Sequence, residues 1–292
     1  MELQVTRRDF LKGSIVVALG AAGASMLGSC APSGAAATSE GATPAAGSGG
    51  SSNAVTLHRG YGAAHGDKCF TSVVVATADD GSILAVSVDD YQFMPAGSTG
   101  ITPVPNSDAG LAAGYAAGQV LMSKTVNTDA YSAMMKEKAQ ATQPWLTSMR
   151  AIEDYCVGKK PSELKKASID TVSGATLVDA PNYLKLVSEV AQSDAITSSG
   201  TYSGDGSNLK LGRVNAAAHG DKAFAEAVSL VQDDVLVATS IDEFQFVATS
   251  SEGFVPVPNS DAAFAAGYAE GQMLMSKSVN SEAYSAMMKE KA

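Results

Sequence analysis

The residues best placed to do chemistry stand in one short run, Asp170-Thr171-Val172-Ser173-Gly174-Ala175-Thr176-Leu177-Val178-Asp179. Ser173, Gly174 and Ala175 are small, so the backbone there can approach a bound group closely, and Thr176 offers a hydroxyl. Tyr183, Leu184, Val187 and Val190 follow at helical spacing, with Asp179 as a suitable N-cap. The run predicts a tight loop that delivers a hydroxyl to a helix start, where unpaired N–H groups favour a phosphate or another anion. A plain loop and cap accounts for the same spacing, so the residues alone leave both readings open.

Little else in the chain reads as chemistry. His65-Gly66-Asp67-Lys68 returns as His219-Gly220-Asp221-Lys222. Each histidine stands either beside a bound group or as a hydrogen-bonding residue at a strand entry. Neither copy offers the spaced His, Cys and Glu cluster that a metal would need. With 3 histidines in 292 residues no Ser-His-Asp arrangement is legible, which argues against a hydrolase. Cys69 and Cys156 allow two readings, a disulfide in an oxidising compartment or two buried thiols. Met122, Met134 and Met135 read as core filling.

The elements that must position the loop come twice. Pro103-Val104-Pro105-Asn106-Ser107-Asp108 recurs as Pro256-Val257-Pro258-Asn259-Ser260-Asp261, and residues 131–139 recur unchanged as 284–292. Between residues 89 and 139, 35 of 51 positions match the second copy, so the two copies share one fold. Within a copy strands come first: 70–77 is rich in valine, and 82–88 follows the turn signal Asp79-Asp80-Gly81. The second copy keeps two apolar runs around Asp233-Asp234 without the turn glycine.

Helices follow. Ser107 caps one that runs to about Lys124, and Thr128 caps a second. A third, from about Thr142, puts Trp145, Met149, Ile152 and Cys156 on one stripe and ends at Gly158. A short Lys-rich helix then leads into the loop. The expectation is an α+β fold, a tandem repeat of a small strand-then-helix module with the second copy incomplete. That copy stops at the counterpart of Ala139. A C-terminal truncation is expected, because ending there leaves apolar surface uncovered.

The length suits two domains at roughly 100–200 residues each, and 45% apolar with 17% charged residues suffices for packed cores. A net charge of −10, with no Lys/Arg run beyond the N-terminal segment, argues against a nucleic-acid partner. Thr6-Arg7-Arg8-Asp9-Phe10-Leu11-Lys12 is a near-ideal twin-arginine export signal carried by Arg7 and Arg8. The apolar stretch 15–27 is too short for a membrane span, which takes about 20 apolar residues. Leu27-Gly28-Ser29-Cys30 resembles a lipobox, whose cysteine is lipidated and becomes the mature N-terminus. The chain then divides into a signal (1–30), a flexible tether (31–55), a first module (56–195), a linker (196–208) and a second module (209–292). Its expected place is the cell membrane, lipid-anchored and facing the extracytoplasmic side.

Asp170-x-x-Ser173-Gly174-Ala175-Thr176 resembles the flavinylation motif of the FMN-binding domain family. The resemblance implies FMN joined covalently, through its phosphate, to Thr176 by a flavin transferase. It also implies that Ser173, Gly174 and Ala175 form the loop at the phosphate, and that Asp170 is the acidic residue the transferase reads. Where the family commonly continues with Thr-Ser, this chain has Leu177-Val178-Asp179. With its lipobox and tandem modules, the chain is similar to flavinylated lipoproteins of extracellular electron transfer. The implied protein is an electron carrier or reductase component rather than a stand-alone enzyme, with no catalytic residues of its own. It would link a membrane quinone or redox-chain donor to an external acceptor. The alternative is a non-catalytic ligand-binding or surface-interaction lipoprotein in which the loop is merely structural.

The anchor is tested by fractionating cells that make a Cys30→Ala variant. The variant should leave the membrane fraction while the parent stays, and equally firm retention of both would refute lipidation at Cys30.

Overall fold

A computed structural model describes residues 52–164, 172 and 174–290, so Arg7, Arg8, Cys30, Asp170 and Ser173 lie outside the described residues. Two antiparallel sheets make up most of it. The first has the order β4-β3-β2-β1-β5, from β1 (Ser52–Gly62), β2 (Cys69–Ala78), β3 (Ile83–Pro95), β4 (Gln119–Ser123) and β5 (Thr197–Ser203). The second runs β6 (Leu209–Ala216), β7 (Ala223–Gln232), β8 (Val235–Ala248) and β9 (Gln272–Ser276) in that order. Between β4 and β5 lie α1 (Thr128–Ala139), α2 (Trp145–Cys156), the short α3 (Pro161–Leu164) and α4 (Ala180–Val190); α5 (Ser281–Glu290) follows β9. The fold is mostly β, which corrects the α+β expectation of a strand-then-helix module.

The largest correction is the segment 107–124, expected as one helix. It is a 3-10 turn over Gly110–Gly114 followed by β4. Each glycine in a helix interior costs about 1 kcal/mol against alanine, and this segment has better partners in the other copy. Gly114 lies under the Phe246 ring, where a Cβ would stand 2.1 Å from the nearest ring carbon, and Gly267 lies the same way under Phe93. The Ala116 N–H donates to the Gly267 carbonyl at 2.9 Å, and the Ala269 N–H to the Gly114 carbonyl at 2.9 Å. Backbone groups that a helix would satisfy internally are satisfied here between copies. β5 was also unforeseen. It lies within 196–208, pairs with β1, and is built from Ser, Thr and Gly around a single buried Tyr202, with no apolar alternation to announce it.

The two copies meet through aromatic side chains. Phe70 stacks on Tyr91 with ring centroids 4.9 Å apart, and their counterparts Phe224 and Phe244 also stand 4.9 Å apart. Across the junction Phe70 meets Phe244 at 5.4 Å, and Tyr91 meets Phe224 at 5.5 Å. Beside this cluster Arg59 and its counterpart Arg213 both pair with Glu226, whose own counterpart is Ser72. Ser72 and Tyr91 donate to the same carboxylate at 2.8 and 2.6 Å. Burial pushes the Glu226 carboxyl up, but Arg213 and Arg59 more than reverse this and hold it at about 2.

Among the described residues, helices cover the face of the first sheet alone. In the first, the rows Gly60–Val73–Val88 and Gly62–Thr71–Asp90 run across β1, β2 and β3. Over this face α2 brings Trp145, Met149 and Ile152, while α4 brings Tyr183, Leu184 and Val187, all buried. α4 packs so close that a Cβ at Gly60 would stand 2.5 Å from Val190 Cγ2. The matching row of the second sheet, Val214–Ala227–Ile241, leaves Val214 57% and Ile241 59% exposed. Cys69 and Cys156 are both free and buried, so the disulfide reading gives way to two thiols.

Glu226→Gln should destabilise the chain by about 3–5 kcal/mol, because it leaves two buried guanidinium groups sharing a neutral amide. A carboxyl held below its ordinary 4.5 contributes stability that is full above that value and is lost as pH falls toward about 2. Urea unfolding across that window should show the variant losing less stability on acidification than the parent. An equal loss in both would contradict the assignment.

Candidate functional site

Thr176 is exposed, on a loop pinned from α2. Its N–H donates to Ser148 Oγ at 3.2 Å, and its own Oγ1 lies 3.3 Å from the same oxygen. Gln143, just ahead of α2, donates to the Gly174 carbonyl at 2.7 Å and also to Ser148 Oγ. Gly174 takes φ +88°, a left-handed conformation in which a side chain would be strained. Val172 anchors one end in the core, while Ala175 and Leu177 pack against it partly buried. The loop is therefore held by two polar side chains and a few apolar contacts, and Thr176 is exposed on it.

The anion-receiving groups are not those expected. The first turn of α4 is satisfied within itself: Ala180 N–H bonds to the Leu177 carbonyl, and Asn182 and Tyr183 N–H to the Asp179 carbonyl. Pro181 has no N–H. The N–H groups of Leu177, Val178 and Asp179 find no acceptor among the described residues.

Asp179 occupies the N-cap position of α4 but makes no side-chain cap. Its Oδ2 lies instead 3.3 Å from Nδ1 of His65, without the alignment of a hydrogen bond. His65 reaches it from the β1–β2 connection and stands 6.3 Å, ring to ring, from Tyr183. Burial lowers the pKa of this imidazole below 6.5, nearby Lys124 lowers it further, and Asp90 and Asp179 pull it partly back. His65 is accordingly neutral at pH 7.

Behind His65 lies a fully buried polar cluster. Tyr183 on α4 donates to Asp90 Oδ2 at 2.5 Å, Lys124 donates to the same oxygen at 3.1 Å, and Thr71 donates to Oδ1 at 2.7 Å. Lys124 Nζ stands 4.8 Å from the Tyr131 ring centroid and 5.9 Å from that of Trp145, within cation–π range. Burial works against the ammonium, but Asp90 outweighs it and raises the Lys124 pKa. Burial, with Asp90 beside it, likewise raises the Tyr183 pKa. The indole Nε1 of Trp145 is buried with no partner.

Three of the expected site residues, Gly174, Ala175 and Thr176, come together on this loop, and His65 joins them through Asp179. His219 is exposed, and no counterpart of α4 faces it among the described residues. Sequence reasoning missed Gln143, Ser148, Asp90 and Lys124. The last two carried a signal: acid, lysine and tyrosine recur as Glu243, Lys277 and Tyr284. There Lys277 bonds to Glu243 at 2.6 Å and lies 4.7 Å from the Tyr284 centroid. No group of three or more His, Cys, Asp or Glu side chains among the described residues could hold a metal ion. No helix among them is long and apolar enough to cross a membrane. No protein-family model, curated protein or solved structure matches the chain.

The two ion pairs differ in cover, which makes them a matched test. Both Lys124 and Asp90 are fully buried, while Lys277 and Glu243 are 12% and 18% exposed. Lys124→Met should cost about 3–5 kcal/mol by leaving a buried carboxylate alone, whereas Lys277→Met should cost markedly less because water reaches Glu243. Equal losses in chemical denaturation would show that the cover does not matter.

Proposed function

We propose that this chain is a membrane-anchored electron-transfer lipoprotein that carries FMN on Thr176 through a phosphodiester. The observation that carries the reading is an exposed threonine hydroxyl at the motif's final position, on a loop fixed by side chains from another element. The residues present fit the group. Thr176 would hold it covalently, and the N–H groups of Leu177, Val178 and Asp179, which have no acceptor among the described residues, would receive the phosphate. A neutral His65 nearby adds no charge, and Gly174 and Ala175 leave room for the transferase to reach the hydroxyl. When bound, the flavin supplies the redox chemistry, while the chain holds and orients it and sets its surroundings. A covalent link suits an extracytoplasmic compartment, where a dissociated cofactor is lost by dilution. Arg7 and Arg8 would direct folded export and Cys30 the lipid anchor, which places the module between a membrane quinone or redox-chain donor and an external acceptor.

Thr176→Ala, produced alongside a flavin transferase, should retain no flavin after denaturation and dialysis, whereas Thr171→Ala should retain as much as the parent. The substitution should change stability by less than about 0.5 kcal/mol, since the hydroxyl is exposed and has one long contact. Flavin retained by Thr176→Ala would move the attachment elsewhere. A parent that stays bare with an active transferase would favour the ligand-binding lipoprotein instead.

A further inference from the structure

We propose that the second copy is a built-in positioning element for the site in the first, acting through Asn259, which fixes the loop that presents His65. The functional weight of this rests on the Thr176 reading, while the geometry stands apart from it. The turn His65-Gly66-Asp67-Lys68 takes three donor contacts from the other copy, beside the Cys69 thiol of its own copy, which donates to the His65 carbonyl at 3.0 Å. Asn259 Nδ2 donates to the Gly66 carbonyl at 2.8 Å and the Cys69 carbonyl at 2.6 Å, and the Phe264 N–H donates to the Asp67 carbonyl at 2.8 Å. Asn259 takes φ +65°, a conformation asparagine tolerates better than most residues, and this aims its amide across the junction. From the turn so held, His65 meets Asp179 at the end of the attachment loop.

The clamp is reciprocal, yet only one side of it leads to a site. Asn106, at φ +64°, donates to the Gly220 and Ala223 carbonyls at 2.8 and 2.7 Å, and the Leu111 N–H donates to the Asp221 carbonyl at 2.8 Å. The turn held there presents an exposed His219. Moreover, the second copy is built so that no helix can seat on it as α4 seats on the first. α4 requires Gly60 and Gly62, where a Cβ would stand 2.5 Å from Val190 Cγ2 and 2.6 Å from Leu186 Cδ1. The matching positions are Val214 and Ala216. The second copy has the clamp without the site, and what its clamp holds is the first copy's histidine.

The test uses the unmodified full chain and imidazole NMR, in which three histidines, His58, His65 and His219, give few signals to assign. The charged and titratable groups around His65 are Asp179 from α4, Lys124 after β4, Asp90 from β3 and the Tyr183 hydroxyl. All of these stay in place in the variants. Asn259→Gly keeps the backbone conformation and removes the donor. It should move the His65 midpoint toward its ordinary value by about half a unit or more as burial is lost, and leave His219 unmoved. Asn106→Gly breaks the same bonds on the other side and should leave His65 unmoved. Asn259→Ser, which keeps one donor, should shift His65 less and in the same direction, and it serves if the glycine variant does not fold. An unchanged His65 midpoint in folded Asn259 variants, or an equal shift in Asn106→Gly, would overturn the proposal. In co-expression with a transferase, Asn259→Gly should lower flavin incorporation and Asn106→Gly should not; equal incorporation would end the link to the site. A bare Thr176 in the parent would sink the flavin reading and leave the titration result standing.

Discussion

Arg59 and Arg213, one from each copy, are buried at the junction with Glu226 between them. Removing the carboxylate would leave two charges in a site that water does not reach, so the pairing of the copies and the ionisation of Glu226 are one condition. The exchange is lopsided by sequence: the counterpart of Glu226 is Ser72, so a single acid serves both arginines. Around it the aromatic rings and the glycines under Phe93 and Phe246 complete an intramolecular junction with the reciprocal contacts of a two-fold dimer. The turn that carries His65 is held from across this junction, by the Asn259 side chain and the Phe264 N–H.

Duplication followed by divergence explains why one sheet is covered and the other open. The first sheet has glycines where α4 presses on it and valines where α2 packs. The second has Val214 at the first kind of position, and Ser229 and Thr239 where the first has Val75 and Val86. Those two hydroxyls pair with each other at 3.0 Å, as polar side chains do on a face that water reaches. The open face of the second sheet thus mixes these hydroxyls with the exposed apolar side chains of Val214 and Ile241.

The helix after the Thr176 loop and the buried stripe of α2 were legible in sequence because both follow local helical periodicity. The polar cluster behind the loop was illegible for the opposite reason. Thr71, Asp90, Lys124 and Tyr183 come from separate strands, a loop and a helix, and nothing local marks them apart from the recurrence of Asp90, Lys124 and Tyr131 as Glu243, Lys277 and Tyr284. The 107–124 segment was misread because its alanines suit a helix, while the contacts that decide its conformation belong to residues some 150 positions away, Phe246 and Gly267 among them. β5 escaped notice because a polar strand pairing with an edge carries no period of its own.

The central claim is that one chain bears one covalent flavin, on the loop of the first copy. The most direct measurement is the intact mass of the chain made with an active flavin transferase, followed by peptide mapping. The account predicts a single FMN increment carried by the peptide containing Thr176. A second increment, an increment on any other residue, or none at all would contradict it.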